Sequence, residues 1–576
     1  MKKIALATLL AFAAGAFARD ARHHERGYPP IKFHDQKTHG AGAQIFSGAQ
    51  GTNGVLYFGG LRGVSRYDGA WWQVAELPNH SAVFAVAAGR GPEIAVAGVN
   101  EFGWAGPDAN GTLTYRSLLP MLPPAQRDLG DVRAVCAADN GFIYVAESAV
   151  IAWTGGAPKA IADLRGRTTS PPRCFRAGAH VYVAADTGLE RVQSSALADT
   201  GFRGRTVDLV LPFDDERIVV AVRGEGLILT NGVTETPFAA EASAWLKEKI
   251  ATTGTRLPDG RMVIGTRHDG ILMLDANGEI DQRLDVTAGL PDAVLASAFA
   301  DREGSLWLAF HGPIVRVELD PSVSVLDARR GLRGSPKSVA RLGDKLYIAT
   351  SHGVFVSAAS DFQPVPGLTS TVWSLLALED ELLLGTADGV YSLRDGGTPQ
   401  LIDGTRGFVV YHAMQSREEP SRVWISTRRG IGTMQRDGNR WRFERLIAGT
   451  PPYSRLMIEH DGAVWAGTIF NGIVRVEGTR VQTFGSGEAS VAVVGDRVVV
   501  VHERQIKLPS ADGKLVPHPT LGNLRGTFFY IAEDAHGNLW TNDTPPRVMR
   551  RLADGQYAAE PVALVAVDTP NIQRVL

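Results

Sequence analysis

The chain has 576 residues, a formal net charge of −2 and 44% hydrophobic residues. A nearly balanced charge gives no electrostatic reason to bind nucleic acid or an anionic membrane surface, and the apolar content excludes a largely disordered chain. The 64 glycines, about 11% against a usual ~7%, point to many tight turns.

In chain order, the first predicted element is a secretory signal peptide over residues 1–18. Lys2 and Lys3 precede the apolar run Ile4–Phe17, and Ala16-Phe17-Ala18 has the small-x-small form of a cleavage site. The apolar run is shorter than the ~20 residues a membrane-spanning helix needs. An exported, periplasmic mature chain is expected.

From there a phrase recurs thirteen times: bulky–aromatic–aliphatic–small–Thr, two or three polar residues, then Gly and an aliphatic. Leu346-Tyr347-Ile348-Ala349-Thr350 before Gly353-Val354 is one copy, and Val464-Trp465-Ala466-Gly467-Thr468 before Gly472-Ile473 is another. Its central position runs through Tyr57, Ala95, Tyr144, Tyr182, Val219, Val263, Trp307, Tyr347, Leu383, Trp424, Trp465, Val499 and Trp540, at intervals of 34 to 49 residues. A fixed period of this size marks a repeat architecture. Each unit reads as four short strands separated by turn residues such as Asp139-Asn140-Gly141 or Asp461-Gly462. Four antiparallel strands per unit are the blade of a β-propeller, and thirteen exceed one ring of four to eight. The predicted fold is therefore all-β, two tandem, roughly seven-bladed β-propellers of four-stranded antiparallel blades.

Within that frame, Cys136 and Cys174 each lie eight residues before the central aromatic of consecutive units. They therefore read as equivalent positions, too far apart for a disulfide, and as two small buried core residues. Ala240–Ile250 is the one predicted short helix. Pro321 and the Arg329–Arg333 segment interrupt the pattern after the seventh unit, which places a first propeller over 19–330 and a second over 331–576. Asn571–Leu576 reads as the first strand of a fourteenth unit, with the chain ending inside a blade, or alternatively as a borrowed strand that closes the ring.

The unit "strand, Asp-x-x-Gly, Leu-Trp-x-x-Thr, Gly-aliphatic" resembles the two-component regulator propeller repeat. The stretches that carry the resemblance best are Gly289-Leu290 through Val317, Arg455 through Val476, and Tyr530 through Trp540. Ala95, Val219 and Val499 depart from it at the aromatic position, and Asn542-Asp543 departs from it in the thirteenth unit. The resemblance implies the periplasmic sensor region of a hybrid histidine kinase or diguanylate cyclase receptor. It also implies a β-sandwich, a membrane span and a cytoplasmic kinase or cyclase beyond the C-terminus, so that contact with the membrane would come only through those parts.

Catalytic signatures are missing from the sequence. There is no His-Glu-x-x-His, no phosphate-binding Gly-x-x-x-x-Gly-Lys and no Gly-x-Ser-x-Gly. Asp108–Gly111 and Asp275–Gly278 lack the later ligands of a calcium loop and read as hairpin turns. No enzyme activity, cofactor or metal is expected for these residues.

A ligand site follows from propeller geometry. The start of each innermost strand, and the turn after each Thr, open on one face around the channel. Counting ten residues back from the central position gives Lys337, Trp373, Arg455 and Tyr530, and a longer turn in the tenth unit gives His412. The turns after Thr add His352 and Arg429, with Arg428, Asn471 and His268. The same count gives Ala134 and Thr253 in the first ring, which therefore reads as plainer. Cations and aromatics converging on a concave mouth suit a small molecule or oligosaccharide. The expected function is extracytoplasmic ligand sensing for a transmembrane receptor, with a homodimer left open. The alternatives are a secreted propeller enzyme of lyase, glycosidase or quinoprotein type, or a periplasmic protein-interaction scaffold.

Overall fold

The structure is a computed structural model. It describes residues 27–167, 170–194, 196–319, 324–358, 361–524, 529–542 and 547–558, and the backbone of 562–563. Residues 1–18, read in the sequence as a signal peptide, and Asn571–Leu576 lie outside the described residues. Among those described, the strands form thirteen four-stranded antiparallel sheets, one for each copy of the phrase. No described helix is long and apolar enough to cross a membrane. The predicted helix forms over Ala240–Leu246 and stops short of Ile250.

The chain divides into two compact units, Pro29–Val323 and one that joins Gly27 and Tyr28 to the residues from Ser324 onward. The first unit holds seven blades. Six are built from four consecutive strands, beginning with Ile45–Gln50, Leu56–Gly60, Gly63–Tyr67 and Trp72–Ala75 in blade 1. Blade 7 draws Leu295–Ala300, Ser305–Phe310 and Ile314–Glu318 from the repeat, and its outermost strand, Ile31–His34, from the start of the chain. That strand precedes the first copy of the phrase, so no repeat pattern announces it. Blade 7 is tied to blade 1 by Gly48 N, which donates to Ser297 Oγ (3.2 Å), and by the Arg302 guanidinium, which donates to Gly51 O (3.0 Å) and Thr52 O (2.8 Å). The ring is thereby closed between its first and last blades. The second unit holds six blades among the described residues, from Pro336–Leu342 to the blade begun by Ile531–Glu533.

The phrase itself now has a physical reading. Its Thr hydroxyl staples the turn that follows. Thr350 Oγ1 accepts from His352 N (2.9 Å) and donates to Gly353 O (3.2 Å). Thr386, Thr427 and Thr468 repeat the arrangement with Gly389, Gly430 and Gly472. Gly353 is required because its φ is +106° and a Cβ there would lie 2.2 Å from Leu368 O. In the units with Asp-x-x-Gly, the Asp closes the hairpin and accepts from the Trp. Trp307 Nε1 donates to Asp301 Oδ2 (2.7 Å) and Trp540 Nε1 to Asp534 Oδ2 (2.8 Å). Asp108 and Asp275 likewise take backbone N–H groups of their own turns, as hairpin residues do.

Cys136 and Cys174 are disulfide-bonded, with Cα atoms 5.9 Å apart. This corrects the reading of two unlinked core residues. Equal spacing to Tyr144 and Tyr182 conceals a difference of register. Tyr144 faces back into the core shared with blade 2, beside Phe102 and Ala97, whereas Tyr182 faces forward to Val210 and Val220 of blade 5. A shift of one residue turns a strand side chain to the opposite face. Cys136, opposite Ile143, therefore faces forward, while Cys174, opposite Val183, faces back, and the two meet between blades 3 and 4.

Candidate functional site

The inner strands share a local irregularity. In ten of the thirteen described blades the ladder between the inner strand and its neighbour skips one residue, or two in blade 11, near the strand's start, a β-bulge. In the second unit the skipped residues are Lys337, Trp373 and Tyr411, with Arg455 and Leu456 skipped together in blade 11. The residue after the bulge returns to the ladder and latches blade to blade. Ser338 Oγ accepts from Leu375 N (3.1 Å), Ser47 Oγ from Val86 N (2.8 Å) and Thr253 Oγ1 from Ala298 N (2.7 Å). Ser47→Ala removes one such latch and leaves an inner-strand N–H unpaired, so a loss of about 1 kcal/mol is expected in urea unfolding. A midpoint equal to that of the unaltered chain would deny the latch any role.

His412 is a latch residue. Its Nδ1 accepts from Met457 N (3.3 Å), and the bulge belongs to Tyr411. This corrects the placement of His412 at the mouth. The first ring is corrected in the same way. Its bulged residues are Phe46, Phe84, Arg133, Asp208, Thr252 and Ala296, so Ala134 and Thr253 each lie one residue too far along. Turn length explains most of the slip. Blades 8, 9 and 11 close the first hairpin over two residues, such as Gly343-Asp344, whereas blades 1, 5, 6 and 7 use three, such as Pro258–Gly260. In blade 3 the turn is short and the cause is the displaced Tyr144. The first ring is not plain at this level.

Of the residues singled out in the sequence, the structure brings Lys337, Trp373 and Arg455 into one arc, completed by Tyr411. Lys337 Nζ lies 5.4 Å from the centre of the Trp373 ring, Trp373 meets Tyr411 edge to face at 5.5 Å, and Arg455 Cζ lies 5.1 Å from the Tyr411 ring. A cation thus sits against each end of an aromatic pair, at distances where ring quadrupoles attract charge. Burial, and then the positive charge of Arg455, hold the Lys337 ammonium below the usual lysine range. Trp373 Nε1 and Arg455 Nε are buried donors without a hydrogen-bond partner.

The other predicted residues stand on the surrounding loops. His352 is exposed on its Thr-stapled turn, with Nδ1 3.0 Å from Ser351 Oγ. Arg429 is exposed over the Phe408 ring at 5.1 Å. Tyr530 packs edge to face on Phe529 at 4.9 Å, and Asn542 Oδ1 accepts from the backbone N–H of both. A second cluster gathers around Arg428, with two aromatics that the repeat positions did not indicate. Arg428 Nε donates to Tyr453 OH (3.2 Å), and Tyr453 meets Phe470 edge to face at 5.6 Å. Phe470 is 60% exposed, and Tyr453 holds φ at +57°, a strained value for a bulky residue. The loop bearing Tyr453 has no repeat signature, which is why the phrase did not point to it.

The first ring's bulged charges are matched internally. Arg133 pairs with Asp131, approaches Glu147 Oε1 at 3.7 Å and lies 4.1 Å from the Phe84 ring centre. Asp208, fully buried, takes Arg223 through both carboxylate oxygens (2.6 and 3.1 Å), and Arg173 lies 4.0 Å away. Among the described residues no group of His, Cys, Asp and Glu could hold a metal ion.

No protein-family model matches the chain, and no curated protein matches it. Among solved structures, the chain is similar to the extracellular domain assigned to a hybrid two component system, BT3049, from B. thetaiotaomicron, with a TM-score of 0.68 and 16% identity over 93% of this chain and 78% of that one. It also matches an extracellular domain of BT4673 from the same organism, with a TM-score of 0.40 and 13% identity over 92% and 79%. At such identity the first likeness shows the fold, and the fold that thirteen four-stranded blades and this likeness establish together is the β-propeller.

Proposed function

We propose that the chain is the extracytoplasmic, ligand-sensing region of a transmembrane signalling receptor, exported after loss of residues 1–18, and that it takes a small molecule or glycan fragment at the channel mouth of its second unit. The observation that carries this reading is the Lys337–Trp373–Tyr411–Arg455 arc. Four consecutive inner strands present large side chains at one bulge position, two of them with buried donors left without partners. Buried donors are ordinarily satisfied, and exceptions call for a cause such as a bound ligand. The extracellular setting of BT3049 supports the location.

Calorimetric titration with a panel of mono- and oligosaccharides tests the reading. Trp373→Ala and Arg455→Ala should each weaken the binding ligand by about tenfold or more. Neither side chain belongs to a blade core, so the melting transition should persist. Unchanged affinity in both variants would remove the site from this mouth.

A further inference from the structure

In each unit, two aromatics and an arginine stand at the bulges of three consecutive blades. In the second unit they are Trp373, Tyr411 and Arg455, in blades 9 to 11. In the first they are Phe46, Phe84 and Arg133, in blades 1 to 3. The contacts repeat along with the residue types. Phe46 meets Phe84 edge to face at 5.4 Å, as Trp373 meets Tyr411 at 5.5 Å. Arg133 Cζ lies 4.1 Å from the centre of the Phe84 ring, as Arg455 Cζ lies 5.1 Å from that of Tyr411. His311, on the turn after Ser305–Phe310, extends the first arc with an edge-to-face contact to Phe46 at 5.6 Å.

The two phenylalanines are not spent on holding blades together. Phe46 is a member of neither core that flanks blade 1, and Phe84 of neither core that flanks blade 2. Those cores are filled by residues such as Phe58, Tyr57 and Phe102, while Phe46 and Phe84 remain half-buried. Half-buried aromatic faces beside a few converging polar groups are what a small-ligand site uses.

The arcs differ in their polar end. Arg133 pairs with Asp131 and has its Nε 3.7 Å from Glu147 Oε1, and the three side chains are 29%, 21% and 48% exposed. One guanidinium and two carboxylates leave an excess of one negative charge, which disfavours an anionic ligand. A cationic ligand would find the Phe84 face already taken by Arg133. A hydroxyl, which both donates and accepts, finds a partner on the guanidinium and on either carboxylate. An uncharged ring with C–H faces and hydroxyls on its edge meets all three conditions.

We infer that the first unit carries a second ligand site, for a neutral sugar, with the ring against Phe46 and Phe84 and its hydroxyls on Arg133, Asp131 and Glu147. The inference goes beyond the ligand-sensing reading of the second unit and draws on it only for the matching arc.

The test is calorimetric titration of the full chain carrying Trp373→Ala and Arg455→Ala, which removes the second unit's arc and leaves the first intact. The probes are glucose, galactose, mannose and xylose, with glucuronate as the anion and glucosamine as the cation. At least one neutral sugar should bind, about tenfold tighter than glucuronate and glucosamine. Adding Phe84→Ala or Phe46→Ala should lower that affinity about tenfold. Adding Glu147→Gln should narrow the gap to glucuronate about threefold. Thermal melting of each variant confirms a folded chain. Absence of neutral-sugar binding in this background would overturn the inference, as would binding that both phenylalanine variants leave unchanged. Glucuronate or glucosamine binding as tightly as the best neutral sugar would overturn the ligand class. The reading of the second unit fails separately, when Trp373→Ala and Arg455→Ala leave the titration of the otherwise unaltered chain unchanged.

Discussion

Asp208→Ala is expected to destabilise the first propeller by about 3 kcal/mol. Asp208 sits at the bulge of blade 5 with its side chain 3% exposed, and it is the only carboxylate that meets both Arg223 and Arg173 in the described ion pairs. Arg223 binds it in a bidentate fork, the stronger form of charge-assisted hydrogen bond. Arg173 Nη1, the nitrogen that faces the carboxylate, donates to two carbonyls, Asp208 O at 2.5 Å and Ala251 O at 3.0 Å. Burial already pulls the Arg173 guanidinium below the ordinary arginine range, with Asp208 opposing that pull and Arg223 and Arg267 adding to it. Removing the carboxylate leaves mutually repelling guanidinium groups without the counter-charge they share. The full penalty for breaking a buried pair is about 3–5 kcal/mol, and the partial exposure of both arginines places the expected loss at the lower end. Asp208→Asn retains an acceptor and should lose less. Guanidinium unfolding of the two variants decides it. A shift below about 0.5 kcal/mol for Asp208→Ala would mean that the pair stabilises nothing on balance.

Much of the fold is legible in the sequence because the features that repeat are local. The Thr–Gly staple, the Asp that takes the Trp indole and the hairpin turns each lie within a few residues, so every copy carries its own signal. What could not be counted from the phrase is the phase of the inner strand. A hairpin one residue longer moves the bulge from Ser47 to Phe46 and from Thr253 to Thr252, and in blade 10 it separates Tyr411 from His412. Because strand faces alternate, a single residue exchanges a channel side chain for an inter-blade latch. The disulfide was hidden by the same parity at Tyr144 and Tyr182. The strand Ile31–His34 was hidden for a different reason. It completes a blade whose other strands lie roughly 280 residues later, a pairing that no local pattern encodes.

That closing strand should also make the first ring sensitive to acid. His34, the last residue of the strand, is buried among Tyr67, Trp72 and Trp307, with ring centres 5.3 to 5.5 Å away. Its Nε2 is buried without an acceptor. Burial first, then the neighbouring basic groups Lys32, His39 and Arg316, push its pKa from 6.5 down to about 4, against a weak upward pull from Asp35. Between those values the unfolded chain binds a proton that the folded ring excludes. Stability is therefore complete above pH 6.5, falls as the pH drops through the interval, and falls no further on this account below pH 4. The gap corresponds to about 3 kcal/mol. His39 adds to the trend in the same direction. Burial lowers its pKa too, and its neutral ring both donates from Nε2 to Gly312 O (3.1 Å) and accepts at Nδ1 from Ala41 N (3.2 Å). Carboxylates that are stabilised in the folded state lose their contribution only at lower pH, so the upper part of the interval isolates the histidines. His34→Phe fills the same aromatic pocket without a titrating group. Melting curves between pH 7 and pH 4.5 should fall steeply for the unaltered chain and clearly less for His34→Phe. Equal slopes in the two proteins would show that the closing strand does not carry the acid response.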